Sequence, residues 1–189
     1  MEKNIKYSCS LTGNLYCIKE MLLFREMNNF LVCDVNAKVN EKGIWCNPNR
    51  KEIEKAIEKQ VFDELLNKKL KIPGFFLESI ENNLKLKVLN LIGLARKAGL
   101  LEIGYEKVSH ALKKNAVDVV IIAKGAEIRN SLFEEKDDKY KILLNKYFTS
   151  EEIGKAIGYK KVLCVALIVS KLSNTLKLDF YRLGKFKLN

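Results

Sequence analysis

Apolar side chains recur every three or four positions between residues 84 and 104. That spacing places them along one face of an α-helix, and the basic side chains among them fall largely outside this face. Gly99 comes directly after the last periodic turn, where a glycine can take the left-handed conformation that ends a helix. We therefore predict an amphipathic helix from Leu84 to Gly99. Its buried stripe consists of Leu84, Val88, Leu91, Ile92 and Ala95.

Helical and strand-like segments alternate after this helix. Residues 105–114 have helical periodicity, with Val108, Ala111 and Leu112 on the inner face. Residues 117–123 form a continuous run rich in β-branched side chains, as in strands buried on both faces. This alternation predicts an α/β fold, here a three-layer α/β/α sandwich. The other predicted elements are a helix over 126–134, a strand near 140–144, a helix from the capping box Thr149–Glu152 to Gly158, a strand over 162–169, and a last helix capped by Ser170.

Short strands broken by turns characterise the first part of the chain. Asn28 and Asn29 separate two apolar runs, and asparagine tolerates the positive φ of a hairpin turn. Asn47 and Pro48 are typical residues for the start of a helix. We therefore expect a small α+β domain here. The predicted strands cover 9–13, 21–24, 30–35 and 43–46, and the predicted helix buries Ile53, Ala56, Ile57, Val61 and Leu65.

Breaker residues cluster between these two parts. Pro73, Gly74, Asn82 and Asn83 interrupt the periodic pattern. We expect a first domain over 1–66, a linker over 67–84, and a second domain over 85–189. Phe75, Phe76, Leu77 and Ile80 suggest that the linker packs against other residues.

The positive charge is concentrated in the second part. Residues 1–84 contain 13 Lys and Arg against 12 Asp and Glu, a net charge of +1, whereas residues 85–189 contain 21 against 11, a net charge of +10. A cationic domain of this kind attracts polyanions, among which nucleic acid is the commonest partner. A lysine-rich surface that merely reflects an AT-rich genome is the alternative.

The cysteine spacing argues against disulfide-stabilised and zinc-binding proteins, and the hydropathy pattern argues against a membrane protein. The five cysteines include no C-x-x-C pair, so we expect reduced thiols and neither a disulfide framework nor a structural metal site, although an unconventional metal site among the first four stays open.

The longest apolar run, 162–169, is too short to cross a membrane, and no signal-peptide pattern is present. We expect a cytoplasmic protein with no membrane partner.

An enzyme is the alternative to a nucleic-acid-binding protein. Gly93, Gly99 and Gly104 are spaced too widely for a dinucleotide-binding loop or a P-loop. His110 is the single histidine, which excludes paired-histidine metal sites and disfavours a catalytic triad. The carboxylates are scattered as helix-surface pairs. We therefore expect no enzymatic activity and no cofactor.

Residues 7–62 resemble the YlxR family of small bacterial RNA-associated proteins. The opening Cys-x-x-Thr-Gly pattern is Cys9, Thr12 and Gly13, and a hydrophobic strand follows at 21–24. The resemblance continues at Asp34, Lys38, Lys42, Gly43 and Trp45, although Lys42 stands where the family has arginine. It implies an α+β fold with RNA contacts at Lys38, Lys42 and Trp45.

Residues 85–169 resemble the L-seven-Ae family of ribosomal and kink-turn-binding proteins, most closely its short bacterial branch. Four segments in the same order carry the resemblance: 89–99 (LNLIGLARKAG), 104–108 (GYEKV), 119–123 (VVIIA) and 153–158 (IGKAIG). The resemblance implies an RNA-binding α/β/α sandwich. A YlxR-like segment before an L-seven-Ae-like segment also resembles fusions seen in bacteria.

The L-seven-Ae resemblance implies that RNA is held by three segments, which are the start of the helix after Gly104, the end of the strand near Ala123, and the loop over 159–163. The free N–H groups of a helix N-terminus attract phosphate, and lysines add charge around them. Tyr159 can stack on an exposed base. The implied RNA-binding residues are Gly104, Tyr105, Glu106, Lys107, His110, Lys124, Tyr159, Lys160 and Lys161.

Kink-turn readers of the family carry an Asn-Glu pair and a Lys where this chain has Glu106, Lys107 and His110. The resemblance therefore implies structured RNA, with ribosomal RNA and ribonuclease P RNA as candidates, and does not imply kink-turn specificity. The alternative hypothesis is a protein-interaction module that docks on a ribonucleoprotein through its near-neutral first domain and aromatic linker.

Overall fold

A computed structural model of the chain describes residues 6–38, 41–126, 141–144 and 147–188. The fold is mixed α/β, as expected, and the chain forms two compact units. The first unit contains residues 1–85 together with 178–189, and the second contains residues 86–177.

The first unit contains two small antiparallel sheets. Strands β1 (Lys6–Ser8) and β2 (Leu15–Cys17) form a two-stranded ribbon, and a second sheet has the strand order β4-β3-β5. The other elements of this unit are β3 (Leu22–Met27), β4 (Phe30–Asp34), β5 (Ile44–Cys46), a 3₁₀ turn (Ile18–Glu20), α1 (Arg50–Glu58), α2 (Val61–Leu66), the first part of α3 (Phe76–Lys97) and the last part of α6 (Lys171–Leu188).

The core of the first unit forms around β3. Leu22, Leu23 and Phe24 are all buried, so both faces of this strand are covered. The ring of Phe24 lies 5.1 Å from that of Phe62 and 6.4 Å from that of Phe76, measured between centroids. Tilted aromatic rings at such distances attract each other, which adds to the stabilisation from apolar burial. The hairpin between β3 and β4 turns at Asn28 and Asn29, which both have positive φ as predicted.

Three local predictions for the first unit are wrong. Residues 9–13 form the turn between β1 and β2, because the amides of Thr12 and Gly13 donate to the Cys9 carbonyl, and β2 was not predicted. The first helix is capped by Asn49, whose side chain accepts from the Glu52 amide, and not by Asn47. Leu65 is exposed. The prediction treated residues 53–65 as one continuous helix. Gln60 takes a left-handed conformation that ends α1 and starts a new helix, α2, so Leu65 no longer lies on the same face as Ile53 and Ala56.

The predicted linker and the predicted end of the second domain also need correction. The linker contains the start of α3, which begins at Phe76 and not at Leu84. Its apolar residues Phe76, Leu77 and Ile80 are buried, because they continue the apolar stripe of that helix upstream of Leu84. Residues 178–189 belong to the first unit, where buried Arg182 donates to the Val35 carbonyl.

The second unit is built on a mixed four-stranded sheet with the strand order β6-β9-β7-β8. Among the strands that the structure describes in this sheet, β7 and β8 are parallel, and β9 pairs antiparallel with both β6 and β7. The elements of this unit are β6 (Leu101–Ile103), α4 (Tyr105–Lys113), β7 (Val117–Ile122), β8 (Lys141–Leu144), α5 (Ser150–Ala156), β9 (Cys164–Ile168), and the remaining parts of α3 and α6.

Both faces of the central strands are buried. Helix α4 packs on one face, where Val108 and Ala111 contact a cluster that includes Val120 and Ala166. The opposite face is fully buried at Val119, Ile121, Val165 and Leu167. Both faces of the central strands are therefore buried, as the continuous β-branched run predicted.

Most predicted elements of the second unit are confirmed. Gly99 follows α3 with a φ of +70°, and α5 begins with the predicted capping box of Thr149 and Glu152. Ser170 caps α6 through a bond from the Ser173 amide. The short strand β6 was not predicted. The predicted helix over 126–134 lies almost entirely outside the described residues.

Helices α3 and α5 approach each other closely at Gly93. A Cβ atom at this position would lie 2.8 Å from the backbone carbonyl oxygen of Ala156. A backbone atom cannot rotate away as a side chain can, so the two helices keep this spacing only if position 93 has no side chain.

We predict that Gly93→Ala lowers the free energy of unfolding by about 1–3 kcal/mol, because the added methyl group overpacks a backbone contact. Urea denaturation of the full chain measures this change. The matched control is Gly74→Ala, since a Cβ at Gly74 meets nothing within 4 Å. The control should be neutral or slightly stabilising. Equal stability of the two variants would contradict the close approach.

Candidate nucleic-acid interface

Backbone hydrogen bonds bring the three predicted RNA-binding segments to the same end of the sheet. The Gly104 amide donates to the Cys164 carbonyl at 2.9 Å, and the Ala123 amide donates to the Leu163 carbonyl at 2.8 Å. The start of β9 therefore lies between the end of β6 and the end of β7. We call this region, formed by residues 104–107, 123–124 and 159–163, the sheet-end surface.

Gly104 starts helix α4 in a conformation that favours glycine. Its φ is +87°, which is strained for residues with a side chain, and a Cβ here would meet nothing within 4 Å. No side chain caps this helix end. The first turn of α4 therefore presents backbone N–H groups and the positive end of the helix dipole beside Lys107.

Three of the predicted lysines are exposed at or next to these segments. Lys107 lies in the first turn of α4, Lys124 follows β7, and Lys160 lies in the loop before β9. None of the three has a carboxylate partner among the residues that the structure describes. They can therefore contact phosphate without first breaking an ion pair.

Lys161 differs from these lysines because it is paired. Its ammonium lies 2.9 Å from a carboxylate oxygen of Glu151, in the first turn of α5. The hydrogen bond from Lys161 is the largest cause that lowers the pKa of Glu151 to about 2. The sequence predicts Lys161 as one of the cations of this surface, but no local pattern indicates its partner, because Lys161 and Glu151 are ten positions apart.

We predict that Glu151→Gln destabilises the protein at neutral pH and has no such effect near pH 2. The folded pKa of Glu151, about 2, lies below its ordinary value of 4.5. Its ionised form therefore stabilises the fold above pH 4.5, and this contribution disappears as the pH falls towards 2. Urea unfolding at several pH values measures the difference between the variant and the wild type.

Glu106→Gln is the matched control, because Glu106 also lies in a first helical turn and has no ion pair among the described residues. A Glu151→Gln effect that is unchanged between pH 7 and pH 2 would contradict the pairing.

Arg96 belongs to this site, although the sequence does not predict it among the RNA-binding residues. Its guanidinium donates to the Ile157 carbonyl and lies 4.4 Å from the centroid of the Tyr159 ring. Tyr159 keeps 48% of its surface exposed. The sequence pattern places Arg96 only among the basic side chains outside the apolar stripe, whereas the structure shows that it fixes the loop and supports the tyrosine ring from one side.

The loop before β9 is held in two further ways. A Cβ at Gly154 would lie 2.8 Å from the Tyr159 carbonyl oxygen, so the loop passes directly over α5. The Val162 amide donates to the Ser150 carbonyl at 2.9 Å. Leu163, the last residue of this loop, is 61% exposed. The loop is therefore a fixed support for exposed side chains.

We predict that Arg96→Ala lowers the free energy of unfolding by about 1–2 kcal/mol, because it removes a charged hydrogen bond and a cation–π contact. Lys97→Ala is the matched control, since the neighbouring Lys97 is exposed and has no ion pair among the described residues. The control should stay within about 0.5 kcal/mol of the wild type. Thermal or urea unfolding measures both, and an equal effect of the two changes would contradict the anchoring role of Arg96.

The RNA contacts that the resemblance implies in the first unit are less accessible or lie beside a carboxylate. Trp45 is only 8% exposed, and its Nε1 donates to the Glu41 carbonyl, so its ring is not open to a base. The YlxR resemblance implied an RNA contact at Trp45 because it occupies the aromatic position of the motif, but its place on strand β5 buries it. Lys38 and Lys42 are exposed, close in sequence to Glu41, which pairs with Arg25.

His110 is exposed on α4, one turn after Lys107. Tyr105 and Glu106 are also exposed in the first turn.

Among the described residues, no three His, Cys, Asp or Glu side chains are grouped closely enough to hold a metal ion. None of the described helices combines the length and the apolarity that a membrane span requires.

Comparisons with known proteins do not assign the chain to a family. No family model matches the chain, and no curated protein matches it. Among solved structures, the chain is similar to a protein of unknown function from Bacillus halodurans C, with 26% identity and a TM-score of 0.41 over 50% of this chain and 96% of that chain. The description of that protein names no ligand.

Proposed function

We propose that the chain is a non-catalytic RNA-binding protein that binds structured RNA through the sheet-end surface of its second unit. The observation that carries the proposal is the convergence of three segments, distant in sequence, at one end of the sheet. These are the segments that the L-seven-Ae resemblance assigns to RNA. Ribosomal RNA and ribonuclease P RNA are the candidate ligands, and the protein acts in translation or RNA processing in the cytoplasm.

Phosphate binding is the first part of the proposed mechanism. The uncapped first turn of α4 offers backbone N–H donors, and Gly104 adds no side chain that would block a phosphate. Lys107, Lys124 and Lys160 supply charge around this position. Such contacts bring affinity and orientation but no sequence information.

Base stacking is the second part. Tyr159 has one side supported by Arg96 and about half of its surface open. A base that stacks on an aromatic ring must be unpaired or at the end of a helix, as in loops, bulges and junctions. The combination of phosphate contacts with one stacking platform favours folded RNA over a regular duplex.

The first unit contributes little RNA affinity in this proposal. Its residues, 1–85 and 178–189, carry a net charge of +4, compared with +7 for the second unit. Trp45 is buried, and the YlxR-like character of this unit is a proposal from the motifs. The alternative, a docking module that uses the aromatic linker, has weaker support. Phe76, Leu77 and Ile80 are buried, and only Phe75 of that group is largely exposed, at 69%.

The test is a comparison of two charge-matched double variants of the full chain. Lys124→Glu with Lys160→Glu changes the sheet-end surface, whereas Lys114→Glu with Lys171→Glu changes exposed lysines that follow α4 and β9 at the other end of the sheet. Affinities are measured by fluorescence anisotropy with transcripts of ribonuclease P RNA and ribosomal RNA, over a range of salt concentrations.

We predict that the first double variant weakens binding by about tenfold or more and reduces the slope of log affinity against log salt by about 2, because two phosphate contacts are lost. The second double variant, which has the same net charge, should bind almost like the wild type. Equal losses in both variants would indicate only diffuse attraction to a basic protein. Binding that is absent, or independent of salt, would contradict the proposal.

A further inference from the structure

Two cysteines of the first unit contact each other, and the proposed RNA site does not use them. Cys9 begins the turn between β1 and β2, and Cys46 ends β5. Cys9 is 1% exposed and Cys46 is 0% exposed. The thiol of Cys46 donates a hydrogen bond to the sulfur of Cys9. Both are free thiols in this structure.

The sulfur of Cys9 accepts several further hydrogen bonds. The Asn47 amide donates to it at 3.3 Å. The Leu11 amide and the Thr12 side chain donate to it as well. Donors that converge on a sulfur stabilise its negative charge, in the same way that donors stabilise a carboxylate. The turn therefore holds a thiolate at Cys9.

The ionisation of the pair follows from these contacts. The hydrogen bond from Cys46, with the bonds from Thr12, Asn47 and Leu11, lowers the pKa of Cys9 to about 4 despite its burial. The same hydrogen bond and burial raise the pKa of Cys46. At neutral pH the pair therefore holds one proton, with a thiolate at Cys9 beside a thiol at Cys46.

The thiolate lies just below the surface. Ser10, Thr12 and Gly13, which form the turn over Cys9, are exposed. A short exposed turn opens locally at a small free-energy cost, so a small molecule can reach the sulfur without global unfolding. The amide of Ser10 donates to the Trp45 carbonyl at 3.0 Å, which keeps the turn beside β5 when it is closed.

We propose that Cys9 and Cys46 form a hydroperoxide-sensitive dithiol, in which Cys9 is the attacking thiolate and Cys46 is the resolving thiol. The Cys9 sulfur attacks one oxygen of the hydroperoxide, the O–O bond breaks, and the other oxygen leaves as hydroxide or alkoxide. The sulfur of Cys46 then attacks the Cys9 sulfenic acid. The S–O bond breaks, the hydroxide leaves with the Cys46 proton as water, and a disulfide remains.

Other cysteines of the chain provide internal controls. Burial raises the pKa of Cys164 to about 11, and burial also raises the pKa of Cys33. Both are therefore thiols at neutral pH, and thiols react with peroxide far more slowly than thiolates. A dithiol that oxidises selectively in an otherwise reduced protein is typical of redox sensing rather than of structural bridging.

The experiment treats the full chain with a small excess of hydrogen peroxide, blocks the remaining thiols with iodoacetamide, and analyses tryptic peptides by mass spectrometry. The expected product joins peptide Tyr7–Lys19 to peptide Gly43–Arg50, with a mass about 2 Da below their sum. Fragmentation must place the link on Cys9, because the first peptide also contains Cys17. Dithiothreitol should reverse it.

We expect Cys9 to be oxidised at least about tenfold faster than Cys164. In Cys46→Ser the sulfenic acid at Cys9 should accumulate and react with dimedone, and Cys9→Ser should form no link. Because these variants can disturb the core, a second measurement uses the wild type. Dimedone present during oxidation should divert Cys9 from the disulfide to the adduct.

Four results would overturn the proposal. They are the absence of a link, a link that uses Cys17 in place of Cys9, cross-linking only between chains, and oxidation of Cys9 no faster than that of Cys164. RNA affinity does not enter this experiment, so its outcome is independent of the proposed function.

Discussion

Two backbone hydrogen bonds at the start of β9 determine the geometry on which the functional proposal depends. The Cys164 carbonyl accepts from Gly104, and the Leu163 carbonyl accepts from Ala123. Because β9 pairs with both β6 and β7, its first residues necessarily lie between the ends of these two strands. A helix start, a strand end and a loop from distant parts of the sequence thereby form one surface. The lysines and the tyrosine lie on one surface because of this pairing.

The loop before β9 owes its fixed position to tight packing beneath it. Gly93 allows α3 to lie against the backbone at Ala156, and Arg96, one turn later on the same helix, donates to the Ile157 carbonyl. The same guanidinium supports Tyr159. A helix that the sequence marks as an amphipathic core element thus also positions the exposed loop. Arg96 therefore links the stability of the fold to the proposed RNA contact at Tyr159, although this residue lies outside the predicted binding segments.

Periodic and capping signals predicted the second unit well, because they depend on local physics. The apolar stripe from Leu84 to Ala95, the β-branched run of β7 and the capping box at Thr149 each correspond to an observed feature. The failures depend on tertiary contacts. No local pattern indicates that Glu151 neutralises Lys161 or that Trp45 is buried, and the helix break at Gln60 has no glycine or proline to mark it.

The most direct test of the central claim is a titration of the labelled full chain with structured RNA, followed by amide NMR spectra. The account predicts that the largest shifts occur at residues 104–107, 123–124 and 159–163, the three segments joined at the start of β9. Shifts concentrated near Lys114 and Lys171, or confined to the first unit, would contradict it.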